Sequence, residues 1–378
     1  LDVVHELLTF GVGAGTLTGK ALLTKDAAVM VGIQQMEYAT LLSQNGVRMS
    51  PYTATGGTLS VAAGRVSYAY GFQGPCASVD TACSSSMVGC HFARQSFALG
   101  ACHSAVSCGV QLMLSSGGTG AVYTASMLTP EGRCKTLDVT ADGYVRGEGC
   151  GAVMLTSPNE REGVSAPSTG LLLPSTEVNQ DGRSSSLTAP YGPAQQSVIH
   201  GALVVGAVSS SDVGTLGMHG TGTALGDPIE VTAASAVLLT AERSAALTLS
   251  AVKSYVGHTE GAAGTAGLVQ ALISLQKRAV APVLHFRATN LHITTAIEAR
   301  ASRRKHTTDT VDLSLTKIVA GSQGGSEPYL LELRHERAND VLAALGQARF
   351  ALALRVHLPY HVVLRALRGV EVRGRAHE

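Results

Sequence analysis

Three short stretches of this chain carry side chains able to do covalent chemistry. The first is residues 79–91, Val-Asp-Thr-Ala-Cys-Ser-Ser-Ser-Met-Val-Gly-Cys-His, where Cys83 follows an apolar run and precedes Met87, Val88 and Phe92 at roughly helical spacing. A cysteine at a strand-to-helix turn lies at the positive end of a helix dipole, which lowers its pKa and exposes its sulfur. Ser84, Ser85 and Ser86 are too small to block access. Taken alone, the stretch supports two readings, a nucleophile or one more small buried cysteine. The second stretch is 218–230, Met-His-Gly-Thr-Gly-Thr-Ala-Leu-Gly-Asp-Pro-Ile-Glu. Here His219 ends a strand, glycines let backbone N–H groups approach a ligand, and threonine hydroxyls offer hydrogen bonds. The third is 253–264, Lys-Ser-Tyr-Val-Gly-His-Thr-Glu-Gly-Ala-Ala-Gly, which brings Lys253, His258 and Glu260.

A thiolate attacks a thioester and keeps the acyl group as a new thioester. Condensation then needs a carbon nucleophile, which decarboxylation of a malonyl group supplies. Its enolate develops charge on the thioester oxygen, and two neutral imidazoles donating from Nε2 would stabilise that oxygen. A simple acyl-transfer triad needs one histidine, so a cysteine protease leaves the second histidine and Lys253 without a role. Any one histidine alone reads more readily as structural. Three stations at one topological position do not: each sits at the carboxyl end of a strand, where ligands gather in parallel α/β sheets.

The elements that must position these stations follow from the apolar patterning. Strands are predicted at 27–33, 77–79, 105–114, 151–156, 171–173, 215–219 and 248–252, and helices at 55–70, 84–99, from about Pro193, at 229–240 and at 262–275. Residues 115–120 read as a loop, and 157–169 as a surface connection. Strands alternating with helices predict an α/β fold with parallel strands. Residues 129–151 are dense in both glycine and charge, which suits a hydrogen-bonded loop network beside a site; a solvated loop is the plainer alternative. Gly13 to Lys20 imitates a phosphate-binding loop, but Ala14 stands where the first glycine belongs and Ala21 where Ser or Thr belongs.

Composition narrows the classes. Of 378 residues, 45% are hydrophobic and only 15% charged, against about 25% charged in ordinary soluble domains. Much of the chain is therefore interior or interface, and an oligomer is expected. Net charge is +1, tryptophan is absent and aromatic residues are 4%, which argues against a nucleic-acid partner. Seven cysteines without a C-x-x-C pair argue against a zinc knuckle or disulfide framework and for a reducing compartment. No metal site is expected. No apolar run is long enough to span a bilayer. The chain begins with leucine, so a fragment is expected; an intracellular, by default cytoplasmic, setting follows, with a plastid or other organelle left open.

Asp80-Thr81-Ala82-Cys83-Ser84-Ser85-Ser86, His219-Gly220-Thr221-Gly222-Thr223 and Lys253-Ser254-x-x-Gly257-His258 together resemble the three signatures of β-ketoacyl synthases. The likeness is to ketosynthase domains of type I or modular polyketide synthases and related fatty-acid synthases. It runs from about residue 27 to 335 and takes in Ala141–Gly149 and Asn179–Ser185. The resemblance implies a thiolase-like fold, two similar α/β halves stacked as a five-layer αβαβα sandwich, in a homodimer. It divides the chain into a non-matching segment 1–26, a nucleophile half 27–170 and a histidine half 171–335. A divergent tail or linker, 336–378, with a plausibly helical pattern over 340–368, completes it. The first half is expected to lack part of its N-terminus.

By the same resemblance, Cys83 takes an acyl chain from an acyl carrier protein, and His219 and His258 assist decarboxylation of a malonyl-type extender and condensation. Lys253, with Glu260, orders His258 and the charge network. Thr221 and Thr223 contact the phosphopantetheine arm that carries substrate, no cofactor is bound by the chain itself, and the backbone N–H groups of Cys83 and Ala320 form an oxyanion hole. Further synthase domains are expected as partners. A non-decarboxylating thiolase commonly carries a second catalytic cysteine near its end, and none follows Cys150. Two departures stand out. Tyr255 replaces an asparagine, a bulkier residue beside the site. In 320–328, Ala320 replaces a gating phenylalanine, Ser326 an asparagine and Pro328 a histidine. These departures keep open a non-elongating domain that only binds or passes on acyl chains, or an inactive fragment serving as a structural module.

Overall fold

The computed structural model describes residues 1–10, 25–35, 37–48, 50–157, 171–240, 243, 245–304, 316–317, 329–330, 348–356 and 362–364. The phosphate-loop look-alike, the connection expected at 157–169 beyond Ser157, and the departing segment 320–328 with Ala320 lie outside the described residues.

One large sheet organises the first half. Its strands are β1 (Ala28–Ile33), β2 (Cys76–Val79), β3 (Ser104–Gln111), β4 (Gly149–Thr156), β5 (Leu172–Leu173), β10 (Ala348–Val356) and β11 (Val362–Leu364), in the order β11-β10-β4-β3-β1-β2 with β5 also on β10. Strand alternation sends successive side chains to opposite faces, and here both faces are buried. Val29 and Val31 of β1, Val106 and Cys108 of β3, and Ala152 and Met154 of β4 form one core with α1 (Asp2–Phe10) and α3 (Leu59–Tyr70). Ala28, Met30, Ala105, Val153 and Leu155 form the other, against α4 (Ser85–Ala98) and α9 (Ala263–Lys277). Between β1 and α3 the chain forms α2 (Glu37–Gln44). Helix α1 lies in the segment outside the family resemblance, yet its Val3, Val4, Leu7 and Leu8 are buried in the first core. Their spacing puts them on one helical face.

The second half repeats the theme on a smaller scale. Strands β6 (Thr215–Gly217) and β7 (Thr248–Ser250) pair in parallel, and α7 (Gly226–Leu238) and α10 (Leu291–Arg304) pack on them through Val231, Ile293, Leu216 and Leu249. α6 (Gly192–Val205) packs on α7, with Pro193 in its first turn. Helix α9 touches α4 and β4 on one side and β6 on the other. Helices, sheet, central helices, sheet and helices thus stack in the thiolase-like order. Among the described residues no helix is long and apolar enough to cross a membrane.

Three expectations are corrected. The large sheet is mixed: β1–β2 and β1–β3 are parallel, but β3–β4, β4–β10 and β10–β11 are antiparallel. Residues 116–124 form a helix, α5 (Ser116–Thr124), rather than a loop; no side chain in it is buried, so apolar periodicity gives no signal there. Within 340–368, expected to be helical, the described residues form β10 and β11; β10 pairs with β4 and β11 with β10, and that backbone pairing outweighs local preference. The short strands β8 (Thr316–Lys317) and β9 (Tyr329–Leu330) pair with each other.

Two glycines seat the nucleophile helix on the sheet. Gly32 and Gly109 are register partners across β1 and β3. A Cβ on Gly32 would collide with the Ser85–Ser86 backbone, and one on Gly109 would lie 2.7 Å from Thr265 Oγ1 and 2.8 Å from Ser86 Cβ. The start of α4 and the start of α9 therefore rest on bare backbone. Gly32→Ala is expected to destabilise the fold by about 1–3 kcal/mol through overpacking, and to slow alkylation of Cys83 by displacing its turn. Thermal denaturation and intact-protein mass check it; an unchanged midpoint with unchanged alkylation would refute it.

Candidate active site

The first station is a strained turn. Between β2 and α4, Ala82 has φ +55°, a conformation that costs a non-glycine residue free energy unless its surroundings fix it. They do. Asp80 Oδ1 accepts from the Ala82 N–H at 3.0 Å, and Ser85 Oγ accepts from the Thr81 N–H at 2.9 Å while donating to the Ala82 carbonyl at 2.5 Å. Ser84 Oγ donates to the Thr81 carbonyl at 2.9 Å, and Ser86 Oγ accepts from the Thr265 N–H at 3.0 Å, tying the turn to α9. The serines thus build the turn that presents Cys83, beyond merely leaving it accessible.

The second station follows β6. Glu230, one turn into α7, accepts from the His219 N–H at 2.5 Å and the Gly220 N–H at 3.0 Å. Asp227 accepts from Gly222 N–H at 3.1 Å and Leu137 N–H at 2.8 Å. Gly220 and Gly222 take φ +50° and +78°, where a side chain would also meet Thr136 and the Lys135 backbone. Thr221 is buried, and its hydroxyl lies 3.3 Å from that of half-buried Thr223.

The third station follows β7. Lys253 opens the short helix α8 (Lys253–Val256) and is buried. Its Nζ donates to the His219 carbonyl at 2.6 Å and lies 3.5 Å from His219 Nδ1. The direct contact is therefore with His219, whereas the resemblance had put Lys253 on His258. Glu260 likewise pairs with Arg146 and not with Lys253: Arg146 Nε and Nη2 reach its two oxygens at 2.7 and 2.8 Å. His258 N–H donates to the Val145 carbonyl at 2.7 Å, and the Glu260 N–H donates to His258 Nδ1 at 3.1 Å. Tyr255 is partly exposed, and its hydroxyl donates to the Pro282 carbonyl.

The glycine-rich segment 129–151 is a bonded network. Lys135 pairs with Asp142 at 3.0 Å, Thr136 Oγ1 donates to the Gly220 carbonyl at 2.6 Å, and Asp138 accepts from the Arg287 N–H at 2.6 Å. Tyr144 sets its ring edge-on to His258, centroids 4.9 Å apart.

The fold brings Cys83, His219 and His258 together. One donor atom from each lies within 4.8 Å of the others, and the two imidazoles meet at 89° with centroids 5.5 Å apart. Cys83 is half-buried, His219 exposed and His258 buried. Sulfur and two imidazole nitrogens form a donor set that a soft metal ion would accept. The hydrogen bonding opposes that use. An Nδ1 that accepts from Glu260 leaves the ring proton of neutral His258 on Nε2, making that nitrogen a donor rather than a ligand. The Lys253 ammonium beside His219 Nδ1 biases the second ring the same way.

The electrostatics correct one expectation. Burial pushes the Cys83 thiol up, and the Lys253 charge and a backbone N–H only partly offset it; the helix-dipole argument had it lowered. Burial, then Lys253, then the neighbouring ring and Arg146 hold His258 well below its ordinary 6.5. Burial and Lys253 lower His219 too. That ring still opens to solvent on one side. Both rings are neutral at pH 7. Burial raises Glu230 and Asp227 and lowers Lys253. Lys253→Met keeps the length and removes the charge, so the thiol should rise further. Alkylation of Cys83 by iodoacetamide at pH 8 is expected to slow severalfold, with its pH dependence displaced upward, because the thiolate is the reacting form. A downward displacement would contradict the arrangement.

Glu37, Arg146, Asp227, Glu230 and Tyr144 were not singled out from sequence. Asp227 and Glu230 stand in the second stretch, on either side of Pro228, and Tyr144 and Arg146 in the Ala141–Gly149 motif; only Glu37 lies outside every quoted stretch.

Sequence models of two families match the chain: "Beta-ketoacyl synthase, N-terminal domain" over residues 12–161 and "Beta-ketoacyl synthase, C-terminal domain" over 172–287. Among curated proteins, the chain is 40% identical over 278 residues to a phenolphthiocerol/phthiocerol polyketide synthase protein of Mycobacterium tuberculosis (strain CDC 1551 / Oshkosh), covering 73% of the chain and 18% of that protein. It is 37% identical over 356 residues to another component of the phenolphthiocerol/phthiocerol polyketide synthase, from strain H37Rv, covering 92% and 16%. Among solved structures, it resembles the ketosynthase from module 6 of the bacillaene synthase of Bacillus subtilis 168, with TM-score 0.64 and 31% identity over 76% of the chain and 48% of that one. It also resembles an oxazolomycin ketosynthase domain of Streptomyces albus JA3453, with TM-score 0.63 and 28% identity over 75% and 48%. The chain thus spans less than a fifth of these curated relatives and about half of these structures.

Proposed function

The chain belongs to the β-ketoacyl synthase family, and we propose that it acts as a condensing acyltransferase in polyketide assembly. Cys83 takes an acyl chain from the phosphopantetheine arm of an acyl carrier protein: the Cys83 sulfur bonds the acyl carbon, and the carrier thiol leaves with the proton. A malonyl-type extender then loses carbon dioxide. The resulting enolate carbon attacks the acyl carbon, forming a carbon–carbon bond while the Cys83 carbon–sulfur bond breaks and Cys83 leaves as thiolate. His219 and His258 donate from Nε2 to the enolate oxygen, and the backbone N–H of Cys83 serves the acyl oxygen. Thr221 and Thr223 offer hydroxyls to the arm, as the family resemblance implies. A homodimer and neighbouring synthase domains complete the working assembly. A fatty-acid pathway uses the same chemistry.

The observation that carries this reading is the convergence of one cysteine and two neutral histidines, donor atoms within 4.8 Å, on one end of two sheets. The test incubates the chain first with an acyl thioester and then with malonyl-loaded carrier protein. Intact mass should show one acyl group on Cys83, followed by its loss with release of carbon dioxide and a β-ketoacyl carrier. The altered sequence at 320–328 favours a second reading, a non-elongating domain, which would acylate Cys83 and release no carbon dioxide. Folded protein that does not acylate at all would overturn both.

A further inference from the structure

Arg146 grips the 258–260 segment twice. Its backbone faces His258 across a short parallel bridge, in which the His258 N–H donates to the Val145 carbonyl at 2.7 Å and the Gly147 N–H donates to the His258 carbonyl at 2.9 Å. Its side chain then reaches past His258 to hold both oxygens of Glu260. Two of the three remaining guanidinium hydrogens are also bonded: Nη2 donates to Glu37 Oε1 at 2.9 Å and Nη1 to Thr119 Oγ1 at 2.8 Å. Glu37 is itself fixed from behind by the Leu114 and Ser115 N–H groups, at 2.6 and 2.8 Å. Arg146, Glu37 and Glu260 are all buried.

The clamp matters because of what Glu260 does with its backbone. Glu260 has φ +40°, a region that side-chain-bearing residues hold only when their surroundings dictate it. In that conformation its N–H points at His258 Nδ1. A relaxed backbone would turn the N–H away and free Nδ1 to carry the ring proton.

We infer that Arg146 is a positioning residue for His258: its bidentate hold on Glu260 keeps the strained backbone that delivers the Glu260 N–H to Nδ1, and so keeps the ring proton on Nε2. The inference rests on the condensing reading for its consequence, since Nε2–H is the donor to the enolate oxygen. Lysine cannot replace it, because an ammonium is a point charge without the planar fork that matches a carboxylate.

The test labels the histidines of the full chain with nitrogen-15 and identifies the His258 ring by its loss in His258→Gln. At pH 7 the wild type should show a protonated Nε2 and a bare Nδ1. Arg146→Lys should show both tautomers in exchange. Its condensation kcat should fall about 10- to 100-fold, the range for loss of a supporting hydrogen-bond partner, with the KM for malonyl carrier little changed and Cys83 loading less affected than condensation. Should Arg146→Lys fail to fold, Glu260→Gln loosens the same clamp and should mix the tautomers likewise. A protonated Nδ1 in the wild type overturns the inference. So does a folded clamp variant that keeps the wild-type tautomer and rate. A wild type with the expected tautomer but no β-ketoacyl product counts against the condensing reading alone.

Discussion

Cys83→Ala is expected to abolish acyl loading outright, with no acyl mass on the protein after exposure to acyl thioesters, and to reduce condensation to background. Among the described residues no other cysteine shares a donor set with the two histidines, and half-buried Cys150 lies on β4 against the first core. Cys90, Cys102, Cys108 and Cys134 are buried, and burial pushes Cys90 and Cys102 up to about 12 and about 11. Cys76 is exposed but lies on β2, where it can pick up acyl groups only as any surface thiol would. Cys76→Ala is the matched control and should load as wild type does. The substitution should spare the histidines, because the hydrogen bonds that aim them come from Lys253 and Glu260 and none from Cys83. Slow release of carbon dioxide from malonyl carrier should therefore persist in Cys83→Ala. Stoichiometric acylation of that variant would place the nucleophile elsewhere and sink the proposed function.

The raised thiol sets how loading depends on pH. Cys83 is protonated at neutral pH, so its attack on a thioester draws on a small thiolate fraction that grows as pH rises. The histidines move the other way: they are already neutral, and their low pKa keeps them neutral well below 6.5. An acid limb in the condensation profile near 6.5 would mean that at least one ring had lost the surroundings described here.

Each station was legible in the sequence because its chemistry is local. A strand, a turn of small residues and a helix start lie within a dozen positions, and Cys83, His219 and His258 each occupy that junction. What joins the stations was not legible. Arg146 meets Glu37 and Glu260 across more than a hundred residues of chain, and nothing in either neighbourhood announces the partner. The direction of β4 was hidden for the same reason: a long connection between β3 and β4 permits either sense, and only the observed register makes it antiparallel. β10 mixes leucine, alanine and arginine in a pattern that suits a helix, and pairing with β4 decides otherwise. The error over Cys83 is the most instructive. A helix terminus is a local feature, whereas the desolvation that pushes the thiol up comes from elements distant in sequence.

The second large effect falls on the histidines. His219→Ala and His258→Ala are each expected to slow condensation about 10²- to 10³-fold, the range for removing one oxyanion donor. Loading of Cys83 should suffer less, since the enolate oxygen does not exist at that stage. The two variants should differ in stability. His258 is buried, and its removal leaves the Glu260 N–H without its acceptor in a closed space, a loss of about 1–3 kcal/mol. His219 opens to solvent, so water can take up the Lys253 hydrogens it leaves behind. Because both rings address one oxygen, the double variant should lose less than the product of the single losses. Full additivity would instead mean that the two histidines stabilise the limiting transition state independently of each other. Single-turnover release of carbon dioxide, measured beside β-ketoacyl formation in all three variants, separates these outcomes. A single variant with wild-type rates in both would remove that ring from the chemistry.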